Sequence, residues 1–358
     1  MALASITVAT VSASYNTVEL KAADEPDVAP VRALIRWDSG WYGDIAENGY
    51  RFEPNQQSPV AYFPLYPGAM HLLSVVGLNR WLAGILISLL AGLTAVTLFQ
   101  RWAARLKPQN ANAAFLMLIA YPISIYLFGI VYSDALYLLC AVSAFVLLER
   151  DKPVAAAIFG ALGTACRPIA PALVLGLLVR SLERRISAKE KLRVVDFVPA
   201  LAGLGLLAYM SYLQWRFDDA LAFAHVQGAP GWDQQPGWRT WLKLEWFRIM
   251  FPRVAPLVAI RLGGHALLTL IALALVPATF KRLGWGYGVY CALAVGLPAI
   301  STKDFMGLGR YLIAAFPLFL TAASLLENRP RVQRGLLWVS ASVFVLLAWA
   351  WGAGGYVS

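Results

Sequence analysis

The chain has 358 residues, of which 59% are apolar and 14% charged, against roughly 25% charged in ordinary soluble domains. This excludes a soluble enzyme and defines an integral membrane protein. The formal charge of +10 does not point to nucleic acid. Its Lys and Arg recur in small groups between apolar segments, as in cytoplasmic loops, and suit membrane lipid headgroups.

In chain order, residues 2–18 are apolar but rich in Ser and Thr and carry no basic leader. They read as a weak first transmembrane helix rather than a signal peptide. Further apolar segments lie near 81–100, 111–131, 135–148, 154–166, 169–179, 197–215, 256–279, 284–300, 311–326 and 335–352. With a crossing taken as about 20 apolar residues, or fewer for a helix that stops inside the protein, they amount to about eleven spans. The expected fold is an all-α polytopic bundle, one membrane domain over 1–358.

Basic groups fall in five loops: Arg101, Arg105 and Lys107; Arg150 and Lys152; the run from Arg180 to Arg193; Lys281 and Arg282; Arg329, Arg331 and Arg334. Two spans separate each from the next, so all five share a side, which the positive-inside bias makes cytoplasmic. Residues 19–80 and 216–255 are then long outward loops. Both are rich in Trp, Phe and Tyr and are expected to form interfacial helices rather than a soluble domain. Arg167-Pro168 interrupts an apolar run, and broken helices at membrane depth line cavities.

The stretch Trp37–Pro67 gathers Asp38, Asp44, Glu47 and Glu53 among Trp37, Trp41, Tyr42, Tyr50, Phe52, Tyr62 and Phe63. Residues 39–48 predict a short helix ended by Gly49, with Asp38 at its N-cap. Two readings of Asp38 follow: a cap that accepts first-turn N–H groups, or a carboxylate that takes a proton from an attacking hydroxyl. Flanking rings that stack on a sugar favour the second if the substrate is a sugar on a lipid carrier. Asp44, Glu47 and Glu53 read either as groups that bind acceptor hydroxyls or as loop-solvating groups, the second favoured. Phe63-Pro64-Leu65-Tyr66-Pro67 opens another apolar stretch, its prolines suited to a first helical turn.

Neither a disulfide nor zinc is expected, because Cys140, Cys166 and Cys291 sit in or beside apolar segments with no CxxC. His71, His225 and His265 lack HxxxH spacing. His225 is a candidate hydrogen-bond partner for a donor phosphate. No GxxxxGK[ST] run occurs, and Gly203-Leu204-Gly205 and Gly284-Trp285-Gly286 read as close-packing glycines. No cofactor is expected, although a divalent ion between Asp38 and Asp44 stays open.

Trp37-Asp38, the Ile45-Ala46-x-x-Gly49-Tyr50 run, Phe63-Pro64-Leu65-Tyr66-Pro67, Tyr132-Ser133-Asp134, Arg167-Pro168 and Gly309-Arg310-Tyr311 together resemble the PIG-V-like mannosyltransferases, the family of GPI mannosyltransferase 2 and its bacterial relatives. The motifs run through roughly residues 36–320, in order. Asp134 departs from the pattern, where many relatives have Glu, and the first span is fainter. The resemblance implies a GT-C glycosyltransferase in the plasma membrane, the compact chain being similar to the bacterial members, with its site outside. It implies inverting transfer of a sugar, mannose by family, from a polyprenyl-phosphate donor to a lipid or glycan acceptor, with Asp38 as general base. Trp37, Trp41, Tyr42, Asp44, Asp134, Arg167, His225, Arg310 and Tyr311 are the expected substrate-binding residues. Arg310 and then Arg167 lead as cations for the leaving phosphate, ahead of Arg216 and Lys303. A lipid-linked sugar flippase and a non-catalytic partner of a membrane enzyme are the competing readings.

Overall fold

The computed structural model describes residues 26, 28–251 and 256–357, which form helices, turns and loops with no strand among them. The weak segment at 2–18 lies outside the described residues. Helix α1, Ser39–Asn48, ends at Gly49 (φ 73°) as its spacing predicts. Helix α2, Leu65–Val75, starts after Pro64. The Leu65 N–H, which has no partner in its own helix, donates to Ala165 O at 3.0 Å. Asn79 caps α3, Arg80–Leu106, accepting from the Trp81 and Leu82 amides at 2.9 and 3.3 Å. The body continues with α4 (Ala111–Ile119), α5 (Asp134–Leu148), α6 (Pro153–Thr164) and α7 (Ala170–Ser187). The 3-10 segment Val194–Gly203 runs into α8 (Leu204–Phe217), followed by α9 (Pro256–Leu283), α10 (Trp285–Ser301), α11 (Pro317–Leu325) and α12 (Pro330–Gly352).

The bundle is all-helical as expected, but a count of eleven separate crossings is not reproduced. Among the described residues, four helical stretches have the length and composition to cross a membrane alone: Arg80–Leu106, Val194–Phe217, Pro256–Leu283 and Pro330–Gly352. Helices α5, α6 and α10 are apolar and shorter. The segment expected at 111–131 is not one helix. Pro122 lacks an N–H and disfavours helix in the residue before it, so α4 stops at Ile119 and the chain returns through the 3-10 turn Ser124–Leu127. Ile125, Tyr126, Leu127, Ile130, Val131 and Tyr132 are all buried. Non-helical backbone is tolerated there because protein covers it, and Val131 N–H donates to Leu34 O at 3.1 Å. The segment expected at 311–326 is likewise split, into the single turn Leu308–Tyr311 and α11, which restarts at Pro317.

Small residues bring these pieces together. A Cβ at Gly92 of α3 would sit 1.8 Å from Leu127 O, and one at Gly205 of α8 would sit 1.8 Å from Ala161 O. At one end of the bundle the basic loops pair locally: Arg180 Nε donates to Glu149 at 2.7 Å and Arg184 Nη2 to Asp151 at 2.6 Å. The opposite end carries α1, the start of α5, the break between α6 and α7, and the turn before α11. The loop after α8 covers that end with short turns and Leu244–Met250. Trp238, Trp241, Leu242, Phe247 and Phe251 are exposed on it, an apolar surface suited to the bilayer interface. Lys243 ties this loop to Thr302, donating to its carbonyl and, at 3.2 Å, to its hydroxyl.

Two outcomes follow. Gly92→Ala drives a methyl into the 124–127 turn and lowers stability by about 1–3 kcal/mol. Gly264→Ala, where a Cβ meets nothing within 4 Å, does not; thermal unfolding in detergent reads both. Burial pushes the Lys243 ammonium down to about 8 from the ordinary lysine value of 10.5, with Asp304 opposing. The folded chain therefore holds fewer protons than the unfolded chain between those values. Stability rises with pH across that window, and Lys243→Met removes the rise in unfolding midpoints measured through it.

Candidate active site

Asp38 stands at the N-cap position of α1 but does not cap it. Its backbone is helical (φ −62°, ψ −12°), and its side chain accepts no first-turn N–H. A capping side chain folds back from extended backbone; from a helical one the carboxylate points away. Asp38 Oδ2 instead lies 3.3 Å from Arg310 Nη1. The Asp38 N–H donates to the Tyr132 hydroxyl at 3.0 Å. Trp37, the preceding residue, is in the left-handed region (φ 54°), a conformation that costs a bulky residue roughly 1–3 kcal/mol.

Asp134 opens α5 and divides its carboxylate between two arginines. Oδ1 accepts from Arg167 Nη1, and Oδ2 faces Arg310 Nε at 3.9 Å. Oδ2 and Nε are both buried and make no hydrogen bond, so this contact is ionic. Asp134 and Arg167 are 2% and 5% exposed. The order Arg167, Asp134, Arg310, Asp38 is thus a chain of alternating charges, two of each sign. Aromatic rings enclose it. Arg167 lies 4.7 Å from the Tyr311 ring; Arg310 lies 4.8 Å from Tyr132, 5.5 Å from Tyr126 and 5.6 Å from Tyr311. Such faces attract a guanidinium by their quadrupole. The Tyr42 and Ser133 hydroxyls hydrogen-bond at 2.9 Å, and burial raises the Tyr42 pKa, keeping the phenol protonated.

Local backbone chemistry fixes the Arg310 turn. Gly309 N–H donates to His265 Nδ1 at 3.1 Å, and Gly309 O accepts from the Tyr121 hydroxyl at 2.9 Å. A Cβ at Gly309 would lie 2.2 Å from Ile123 and 2.6 Å from that Nδ1, so only glycine fits. His265 is a structural acceptor here.

The remaining expected residues divide clearly. Trp41 stacks on Tyr62 at 5.8 Å and meets Trp232 edge-on at 5.9 Å. Trp37 is 52% exposed, with its ring 5.2 Å from Tyr356. Asp44 pairs with Arg51 and accepts from Asn48, Glu47 pairs with Arg80, and Glu53 is exposed. Asp38 and Asp44 thus each face an arginine, and among the described residues no three His, Cys, Asp or Glu side chains group as a metal set would. His225 is exposed and bound to Asp219 at 2.7 Å, apart from the charge chain. Lys303 pairs with Asp233 at 3.2 Å, and Arg216 lies over Phe217. Tyr126, Tyr132 and Tyr356 are neighbours of the site that no expectation named. Tyr132 stands inside a motif already singled out, whereas a lone tyrosine after a final span carries no sequence signal.

The fold is similar to that of a solved structure. The chain superposes along its whole length on the crystal structure of the Archaeoglobus fulgidus oligosaccharyltransferase in its apo form, with a TM-score of 0.50 and 10% identity. It spans 56% of that chain. The likeness is one of fold: an all-helical membrane bundle. The mannosyltransferase (PIG-V) family model matches residues 24–202, half of the chain, and the protein belongs to that family. No curated protein matches by sequence. The matched residues include Asp38, Asp134 and Arg167; Arg310 and Tyr356 lie beyond them.

Removing one member of a buried pair leaves the other charge uncompensated. Asp134→Ala is expected to destabilise the protein by about 3–5 kcal/mol. Unfolding in detergent measures this, and Arg167→Met in the same background is expected to recover part of the loss.

Proposed function

We propose that the protein transfers a sugar, mannose by family, from a polyprenyl-phosphate donor to an extracytoplasmic lipid or glycan acceptor, inverting the anomeric centre, with Asp38 as general base. The observation that carries this reading is the contact between Asp38 and Arg310. It sets a proton acceptor beside a cation at one end of the bundle. In the step, Asp38 takes the proton of the acceptor hydroxyl as its oxygen bonds to the sugar C1. The bond from C1 to the phosphate oxygen breaks, and its electron pair leaves on the lipid phosphate. A phosphate leaves as a stable anion, so no acid is needed, unlike glycosidases with two carboxyls. Arg310 has five N–H donors and commits only Nη1 to Asp38. With Nε buried against Asp134, its remaining Nη donors stabilise the charge that grows on the phosphate. Arg167, held by Asp134, supports Arg310 from behind, and Trp41 and Tyr62 supply a stacking face for a sugar.

The chain as a whole acts as one glycosyltransferase domain. The excess of basic loops at the far end supports an outward site through the positive-inside bias. A flippase would gather its charges near mid-membrane in discontinuous helices. Here Asp38, Asp134, Arg167 and Arg310 lie together at the end of the bundle away from the basic loops, which favours the enzyme.

The test gives purified protein a polyprenyl-phosphate mannose and a membrane lipid extract. Asp38→Asn is expected to fold normally and to lower transfer by about 10²–10⁴-fold. Equal turnover by the variant sinks the base assignment and returns the non-catalytic partner. Absence of any transfer, with movement of the lipid-linked sugar across vesicles, favours the flippase.

A further inference from the structure

The strained residue before Asp38 is held from the far end of the described chain. Trp37 has φ 54°, and such a conformation persists only where its surroundings over-determine it. The Trp37 ring meets Tyr356 edge-to-face, with centroids 5.2 Å apart and planes at 72°. Tyr356 lies in the segment 353–357 that follows α12 and is anchored independently. Its carbonyl accepts from Arg261 Nη1 at 3.1 Å, and the Arg261 guanidinium lies 5.7 Å from its ring. The end of α12 is pinned to the strand of chain before Trp37: Trp351 Nε1 donates to Ala33 O at 2.8 Å, and Arg36 Nη2 to Gly352 O at 2.9 Å.

Arg261 and His265 are four residues apart on α9, so both project from one face. Arg261 holds the Tyr356 segment and His265 holds the Gly309–Arg310 turn. One helix face thereby sets both walls of the Asp38–Arg310 contact.

We infer that Tyr356 is a positioning residue: its ring, held by Arg261, fixes Trp37 in its left-handed conformation and so aims Asp38 at Arg310. The inference rests on the reading of Asp38 as base only where activity is measured. The experiment compares wild type, Tyr356→Phe, Tyr356→Ala and Arg261→Gln in detergent. Its first readout is hydrogen exchange of the segment 36–42, which contains the Asp38 amide bonded to Tyr132. Its second is kcat and KM for transfer.

Tyr356→Ala is expected to speed exchange at 36–42 about tenfold, with Arg261→Gln intermediate and the unfolding midpoint little changed. Its kcat is expected to fall on the order of 10²-fold, as small misplacements of reacting groups do, with KM for the donor nearly constant. Tyr356→Phe retains the ring and is expected to keep wild-type exchange and most of kcat. Unchanged exchange in Tyr356→Ala overturns the inference. So does a Tyr356→Phe variant as impaired as Tyr356→Ala, because the hydroxyl would then be the working group. Faster exchange in Tyr356→Ala, with no transfer by the wild type, supports the positioning role and removes the base reading instead.

Discussion

Arg310 lies between two carboxylates, and the candidate site is organised around that bridge. Asp134 faces its Nε and Asp38 its Nη1. Away from water, a lone guanidinium or carboxylate is expensive, and removing one partner leaves the other uncompensated. The burial of Asp134 and Arg167 thus demands that the alternating chain of charges be complete. Asp38 is its outermost member and the one most open to solvent.

The scaffold is arranged to keep those charges at one depth. Broken helices are the means: α4 stops before Pro122, α6 and α7 part at Arg167-Pro168, and the chain before α11 folds into one turn at Leu308–Tyr311. Each break frees backbone groups that must find partners inside the protein. Leu65 N–H meets Ala165 O, Val131 N–H meets Leu34 O, and Gly309 N–H meets His265. Those same bonds tie the motif-bearing segments to one another, so the positions of the charges follow from satisfying the backbone.

Much of this was legible beforehand. The helix at 39–48, its glycine stop and the break at Arg167-Pro168 are local, decided by turn chemistry and proline. The split of 111–131 was harder to read, since its apolar residues fit a lipid-facing helix and a protein-buried turn equally well. Hydropathy does not distinguish burial in protein from burial in lipid. The N-cap expectation for Asp38 failed for a different reason. Composition allows a cap, but the backbone at Asp38 is helical and its carboxylate turns to Arg310 instead.

By itself, the sequence determined that the chain is an all-helical membrane protein, that its basic loops share a side, and that Trp37-Asp38 and Gly309-Arg310-Tyr311 belong to a recognisable pattern. These properties rest on composition and short-range spacing, which act locally. Only the tertiary structure decided which acid meets which base. Asp38 pairs with a residue 272 positions away, while Asp44 and Glu47 are taken up by Arg51 and Arg80. Pairing across such distances is fixed by how buried helices pack and where their freed backbone groups bond, and no local stretch of sequence contains that information.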